Sequence, residues 1–201
     1  MQIIPTVLEK RWDEAEERLN QLRLSTKWVQ IDVTDNQMVL GKSFELELLG
    51  KYEFFDHFLW DIHLMVKEPE KWIEKCVFVG ASRVIGQVEQ MSSRENFINK
   101  AKDAGLEVGL AFDIETSIDK IEEEVDVVLL MGRKAGYGYF DLDNKIFEKI
   151  KILRQAQDKR EKKFLIAIDG GVNEENVLLL EKAGVEMIYS GGSYFKLLEK
   201  C

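Results

Sequence analysis

Three kinds of residue in this sequence could carry chemistry, and each stands where an apolar run ends. In "WVQIDVTDNQ" (28–37) Gln30 and Asp32 are two residues apart, so on an extended chain they share a face. The run closes on Asp35 and Asn36, which are turn formers. On a solvated face the pair would mean little. In an enclosed one, a carboxylate and a carboxamide must be hydrogen-bonded, metal-bound or reached by water. His63, in "WDIHLMV", sits between apolar neighbours and must either satisfy its ring inside the core or bind something. Asp169 is followed by Gly170 and Gly171, and Ser190 by Gly191 and Gly192. Glycine turns that lead into a helix present backbone N–H groups to an anion without any basic side chain. A third glycine stretch, "RKAGYG", joins Arg133 and Lys134 to Gly136 and Gly138.

A local anion device of this type is what the overall charge demands. The formal net charge is −9, which repels anions globally and provides no basic face for nucleic acid. At 45% hydrophobic and 32% charged residues the chain reads as an ordinary soluble globule. Cys76 and Cys201 form neither a disulfide framework nor a metal spacing, so a reducing cytoplasm is expected. The opening "MQIIPTVLEKRW" lacks a basic start followed by an apolar stretch, so no signal peptide is expected. Runs such as "VDVVLLMG" are too short to span a bilayer, so no membrane partner is expected.

The elements that must position these residues alternate along the whole chain. Strand-like runs are "QIIPTVL", "WVQIDVT", "FLWDIHLMV", "RVIGQVEQ", "LEVGLAF", "VDVVLLMG", "KFLIAIDGG" and "VEMIYSGG". Helical patterns follow each of them. In "RWDEAEERLNQLRL", Trp12, Ala15, Leu19 and Leu22 mark one face. "KEPEKWIEKC" has Pro69 in its first turn, and "SSRENFINKAKDAG" opens on serine and closes on glycine. "SFELELLGK" and "SIDKIEEE" are shorter helix candidates, and "DNKIFEKIKILRQAQ", "NEENVLLLEKAG" and "SYFKLLEK" complete the set. Eight strand–helix units without a linker argue for one (β/α)8 TIM barrel domain over residues 1–201, compact for its kind. A doubly wound open sheet is the alternative, but the first turn lacks GxGxxG. In a barrel, the strand ends listed by Glu9, Gln30, Asp32, His63, Asp169 and Ser190 would face one common site. The glycine pairs after the seventh and eighth strands fall at the usual phosphate position of such a barrel.

With these motifs in place, "IIPTVLEKRW", "VQIDVTDNQMV", "DIHLMVKEPEKWI", "VDVVLLMGRKAGYG", "AIDGGVNEENV" and "SGGSYF" together resemble ribulose-phosphate 3-epimerase, in order and spacing from about Ile4 to Phe195. The resemblance implies a ribulose-phosphate-binding barrel acting in the pentose phosphate pathway on a small-molecule phosphosugar. It implies that Asp32 and Asp169 move the C3 proton between opposite faces of a ketose phosphate, interconverting D-ribulose 5-phosphate and D-xylulose 5-phosphate. It further implies a divalent metal ion (zinc, manganese, iron or magnesium) held by Asp32, His63, Asp169 and the residue at position 30. The substrate would meet Glu9, Met65 and Met131, with Gly136, Gly138, Gly170, Gly171, Gly191 and Gly192 around its phosphate. A homo-oligomer is compatible with the resemblance.

Several positions depart from the family pattern. Gln30 stands where a histidine ligand is expected, and a carboxamide oxygen is a harder, weaker ligand that shifts preference toward magnesium or manganese. Glu9 replaces a serine, Thr34 a methionine of the apolar wall, and Gln87 a histidine after the fourth strand. The sixth loop reads "AGYGYF", with Arg133 and Lys134 before it as substitutes for part of the phosphate grip. These departures keep two rivals open: a divergent isomerase or lyase using Glu9 and Arg133 in place of the metal, and a phosphosugar-binding protein without turnover. If position 30 is no metal site, its carboxamide would orient Asp32 by a hydrogen bond.

Overall fold

The apolar runs become eight parallel strands that pair in chain order and close on themselves, in a computed structural model describing residues 1–135 and 141–200. The strands are β1 (Gln2–Val7), β2 (Trp28–Thr34), β3 (Leu59–Met65), β4 (Ala81–Gln87), β5 (Glu107–Phe112), β6 (Val127–Met131), β7 (Leu165–Asp169) and β8 (Met187–Ser190). Because β8 pairs with β1, with Ile4 beside Tyr189, the sheet has no edge and the open doubly wound alternative is excluded. Helices α1 (Trp12–Leu22), α2 (Ile73–Phe78), α3 (Arg94–Asp103), α4 (Lys145–Gln157) and α5 (Val177–Ala183) lie between them, and α6 (Tyr194–Lys200) follows β8. Helix α1 buries Ala15, Leu19 and Leu22, as their spacing predicts. The serine expected to open α3 does so: Ser93 accepts a hydrogen bond from the Asn96 N–H.

Two of the eight expected helices do not form as α-helix. After β2, "SFELELLGK" supplies only a 3-10 segment, Leu46–Lys51. After β5, residues 117–124 contain no helix. Glu122, Glu123 and Glu124 would place three negative charges at the negative end of a helix dipole. Their segment is held from outside instead: Arg160 donates to the carbonyls of Ile121, Glu122 and Glu123. A carbonyl engaged by a guanidinium has less to offer a helical ladder. The fourth strand also ends earlier than its pattern suggests, because Val88–Gln90 turn as a 3-10 segment.

Strand alternation divides the buried residues into two sets. One packs the helices onto the outside of the barrel. The other, including Ile4, Ile85, Ala111, Leu129, Ala167 and Tyr189, fills its interior. Residues of the same parity as these bring polar groups inward. In the β2–β3 register Asp32 lies beside His63, and Gln30 beside Asp61. Further down the interior, Arg83 donates to Asp61 at 3.0 Å and to Glu107 at 2.6 Å, and Tyr189 donates to Asp61 at 2.5 Å. The Arg83 guanidinium also lies 4.5 Å from the centre of the Trp28 ring. Branched apolar residues usually occupy these layers. Here an ion pair with an aromatic lid does. No helix among the described residues is long and apolar enough to cross a membrane.

Candidate active site

At the C-terminal end of the barrel the strands open into a cavity of about 760 Å³. Asp32 from β2 and Asp169 from β7 reach its floor, and Met65 from β3 and Met131 from β6 form apolar wall. Glu9, Arg133, Gly170, Gly171, Gly191 and Gly192 line it as well. Most of the residues singled out by sequence therefore share one cavity, but Gln30, Thr34, His63 and Gln87 are buried and lie outside its lining. Lys134 is exposed and also lies outside the cavity lining, while Gly136 and Gly138 fall outside the described residues.

The chemistry gathers at the floor. His63 is fully buried, and its Nδ1 lies 3.0 Å from Asp32 Oδ1 and 3.8 Å from Asp169 Oδ2. One ligand atom from each of the three falls within 4.8 Å of the others. Donors on a single ion, at bonds of about 2.0–2.2 Å, are separated by no more than about 4.4 Å. The two distances from His63 fit that limit, so the arrangement suits a divalent ion with little movement. The donor set, two carboxylates and an imidazole, suits zinc, manganese or iron. Gln30 adds a further indication. It is wholly buried, and neither its amide oxygen nor its amide nitrogen has a hydrogen-bond partner. Hence the alternative in which Gln30 orients Asp32 by a hydrogen bond is not what the structure contains. A buried amide without a partner costs about 1–3 kcal/mol. Such a group needs an explanation, and a bound ion or water within reach of the carboxamide would supply one.

Electrostatics distinguish the two carboxylates. Burial, then the negative charge of Asp32, push the Asp169 carboxyl up to about 7, partly opposed by His63 and Arg133. For His63, burial works against the imidazolium, yet the hydrogen bond and charge of Asp32 outweigh it and hold the pKa above the ordinary value. A carboxyl this close to another negative charge holds its proton to higher pH, which is the case for Asp169. The site thus holds two carboxyl groups of unlike environment within a few ångströms of one imidazole.

The glycine turns line the same cavity. Gly170 and Gly171 have φ of 91° and 75°, a region open to glycine at no steric cost. At Gly171 a Cβ would come within 2.6 Å of the Leu142 backbone nitrogen, so only glycine fits there. Helices α5 and α6 are too short for their dipoles to carry a charged ligand alone. Cationic side chains make up the difference. Arg133 packs over Gly170, its Cγ 2.9 Å from where a Cβ would stand. Arg18 of α1 also lines the cavity and donates to the Gly191 carbonyl at 2.9 Å. Sequence reading overlooked Arg18, although a signal existed. It lies three residues after buried Ala15 and four before buried Leu22, so a charge sits on the side of α1 that turns toward the barrel. Arg18 also acts on Glu9, whose carboxyl is raised by burial and by Glu14 and lowered by Arg18.

Comparison with known proteins agrees with this geometry. The sequence model of the ribulose-phosphate 3 epimerase family matches residues 2–195. The chain is 27% identical to ribulose-phosphate 3-epimerase of Aquifex aeolicus, over 96% of this chain and 89% of that protein. To the protein of the same name from Chlamydia muridarum it is 28% identical, over 84% and 76% of the two chains. Among solved structures, 3-hexulose-6-phosphate synthase from Salmonella typhimurium superposes with a TM-score of 0.67 at 16% identity, covering 100% of this chain and 93% of that one. That last likeness concerns the fold alone.

Proposed function

The chain belongs to the ribulose-phosphate 3-epimerase family, a family of isomerases, and from that premise we propose that it inverts carbon 3 of a pentulose 5-phosphate, interconverting D-ribulose 5-phosphate and D-xylulose 5-phosphate. The observation that carries this reading is the placement of two carboxylates about one buried imidazole, with Asp169 poised near neutrality. Inversion at a carbon next to a ketone needs one group to take the proton from one face and a second to return it from the other. Asp32 and Asp169, on strands separated around the barrel floor, are those groups. In each turnover one enters as carboxylate and the other as carboxylic acid, and they leave with those states exchanged. A raised pKa on one member of the pair keeps both states accessible near neutral pH.

Asp32, His63 and Asp169, with the Gln30 carboxamide oxygen, would hold a divalent ion, which supplies Lewis-acid polarisation of the ketone and stabilises negative charge on the enediolate. Met65 and Met131 press an apolar surface against the reacting carbons and keep water from protonating them. Backbone N–H groups at Gly170, Gly171, Gly191 and Gly192 would receive the phosphate, with Arg18 and Arg133 supplying the positive charge that a protein of net −9 otherwise lacks.

Incubation with D-ribulose 5-phosphate in deuterium oxide tests this reading. Deuterium at C3, appearing with added metal and suppressed by a chelator, is the expected result. Exchange that survives exhaustive chelation would transfer the role of the metal to Glu9 and Arg133. Absence of exchange with every metal would leave a phosphosugar-binding protein.

A further inference from the structure

Gln87, the last residue of β4, is wholly buried against the imidazole of His63. Its Nε2 lies 3.1 Å from His63 Nε2, while the other ring nitrogen, Nδ1, is 3.0 Å from Asp32 Oδ1. With the carboxamide nitrogen, which offers two donors and no acceptor, placed toward the ring, His63 Nε2 accepts in this contact. The ring proton is then on Nδ1 and is donated to Asp32. In that tautomer Nδ1 has no lone pair to offer a cation, although it is the nitrogen aimed between the two carboxylates. For Nδ1 to become a ligand, the ring must carry its proton on Nε2 instead. That N–H would then face the amide nitrogen of Gln87, donor against donor.

The amide resolves the conflict itself. Gln87 Oε1 has no hydrogen-bond partner. A half-turn of the carboxamide exchanges nitrogen for oxygen within nearly the same volume and gives Nε2–H an acceptor. An ionised Asp or Glu at this position could only accept, and a charged Lys could only donate; a neutral carboxamide can do either. We propose that Gln87 is the positioning residue that sets the tautomer of His63, its amide nitrogen holding the metal-free form and its amide oxygen the form that ligates a divalent ion. The proton balance is neutral: Nδ1 loses one proton to solvent and Nε2 gains one. The groove between Asp32 and Asp169 thus accepts an ion only when a residue beyond the cavity lining turns over. The proposal rests on the reading of His63 as a metal ligand and deepens it, since partners of this kind tune metal affinity through the ligand they orient.

The chain has only two histidines, so nitrogen-15 labelling of histidine reads the tautomer directly, with His57→Gln to assign the signals. Spectra are taken as a pH series carried above the His63 titration, which, despite burial, Asp32 displaces upward, with and without zinc, which is diamagnetic. In the metal-free wild type, His63 is expected with its proton on Nδ1, and with zinc on Nε2. Gln87→Glu, read where its carboxylate is ionised and can only accept, should show the Nε2–H form without zinc. Gln87→Met, of similar volume, should bind zinc about 10–100-fold more weakly. A metal-free wild type already in the Nε2–H form, or zinc affinity unchanged in Gln87→Met, would overturn the proposal. If the buried carboxylate of Gln87→Glu prevents folding, the wild-type tautomer and the methionine variant decide. If zinc fails to bind the wild type at all, the metal reading falls separately, and the metal-free spectra of wild type and Gln87→Glu still decide what Gln87 does.

Discussion

Replacing Gln30 by methionine should make the metal-free protein more stable and the metal site weaker. The carboxamide is fully buried, and both its polar atoms lack partners. Methionine keeps the side-chain length and volume while removing the desolvated dipole. Relief of an unsatisfied buried amide is worth about 1–3 kcal/mol. For a chain of 201 residues each kcal/mol moves the melting temperature by about 2–4 °C, so the metal-free variant should melt about 2–12 °C higher than wild type. The reverse holds with metal. Zinc at 100 times its Kd stabilises a protein by about 2.7 kcal/mol, and a tenfold loss of affinity reduces that by about 1.3 kcal/mol. The zinc-induced rise in melting temperature should therefore shrink by about 3–5 °C in the variant. The companion substitution Gln30→His restores a nitrogen ligand and should raise zinc or manganese affinity by about tenfold or more. Thermal melts with and without chelator, beside a zinc titration, read every quantity. A Gln30→Met protein with an unchanged metal-free melt and an unchanged zinc shift would refute the reasoning, because the amide would then be satisfied by solvent and remote from the ion.

Three further outcomes follow from the same structure. Arg83→Met leaves the buried Asp61 without its guanidinium and should cost about 3–5 kcal/mol, whereas Arg83→Met with Asp61→Leu should recover most of that loss in denaturant unfolding. Arg18→Ala should raise KM for the phosphosugar severalfold to tens of fold with kcat little changed, in steady-state kinetics, because it removes binding common to ground and transition states. The raised Asp169 pKa means that the folded, metal-free protein binds a proton that the unfolded chain has lost. Metal-free stability should therefore fall as pH rises from about 4 to about 7, a component that Asp169→Asn removes, and zinc affinity should weaken below about pH 7, where the ion competes with that proton.

How far the sequence reveals this molecule depends on which forces decide each part. Strand periodicity is local, so the eight runs and the inward parity of Gln30 and Asp32 were readable, and closure follows from eight units in series. The missing helix at 117–124 was not readable, because its carbonyls are taken by Arg160, 37 or more residues away, in the contacts to Ile121, Glu122 and Glu123. The cavity residues were found because glycine pairs and carboxylates at strand ends are chemically unusual there. What Gln87 touches, and the Arg83–Asp61–Tyr189 layer, depend on register between strands that meet only in the closed barrel. Residue types alone indicated a histidine in the core. The structure supplies its two partners, and with them the question of which nitrogen holds the proton.

The central claim is that Asp32 and Asp169 are the two bases of an epimerase. It is tested most directly by measuring formation of D-xylulose 5-phosphate from D-ribulose 5-phosphate with wild type, Asp32→Asn and Asp169→Asn, each supplied with metal and shown to be folded by circular dichroism. The account predicts turnover by the wild type and a loss of at least about 10²–10⁴-fold in each variant. Either variant interconverting the two sugars at near wild-type rate would contradict it.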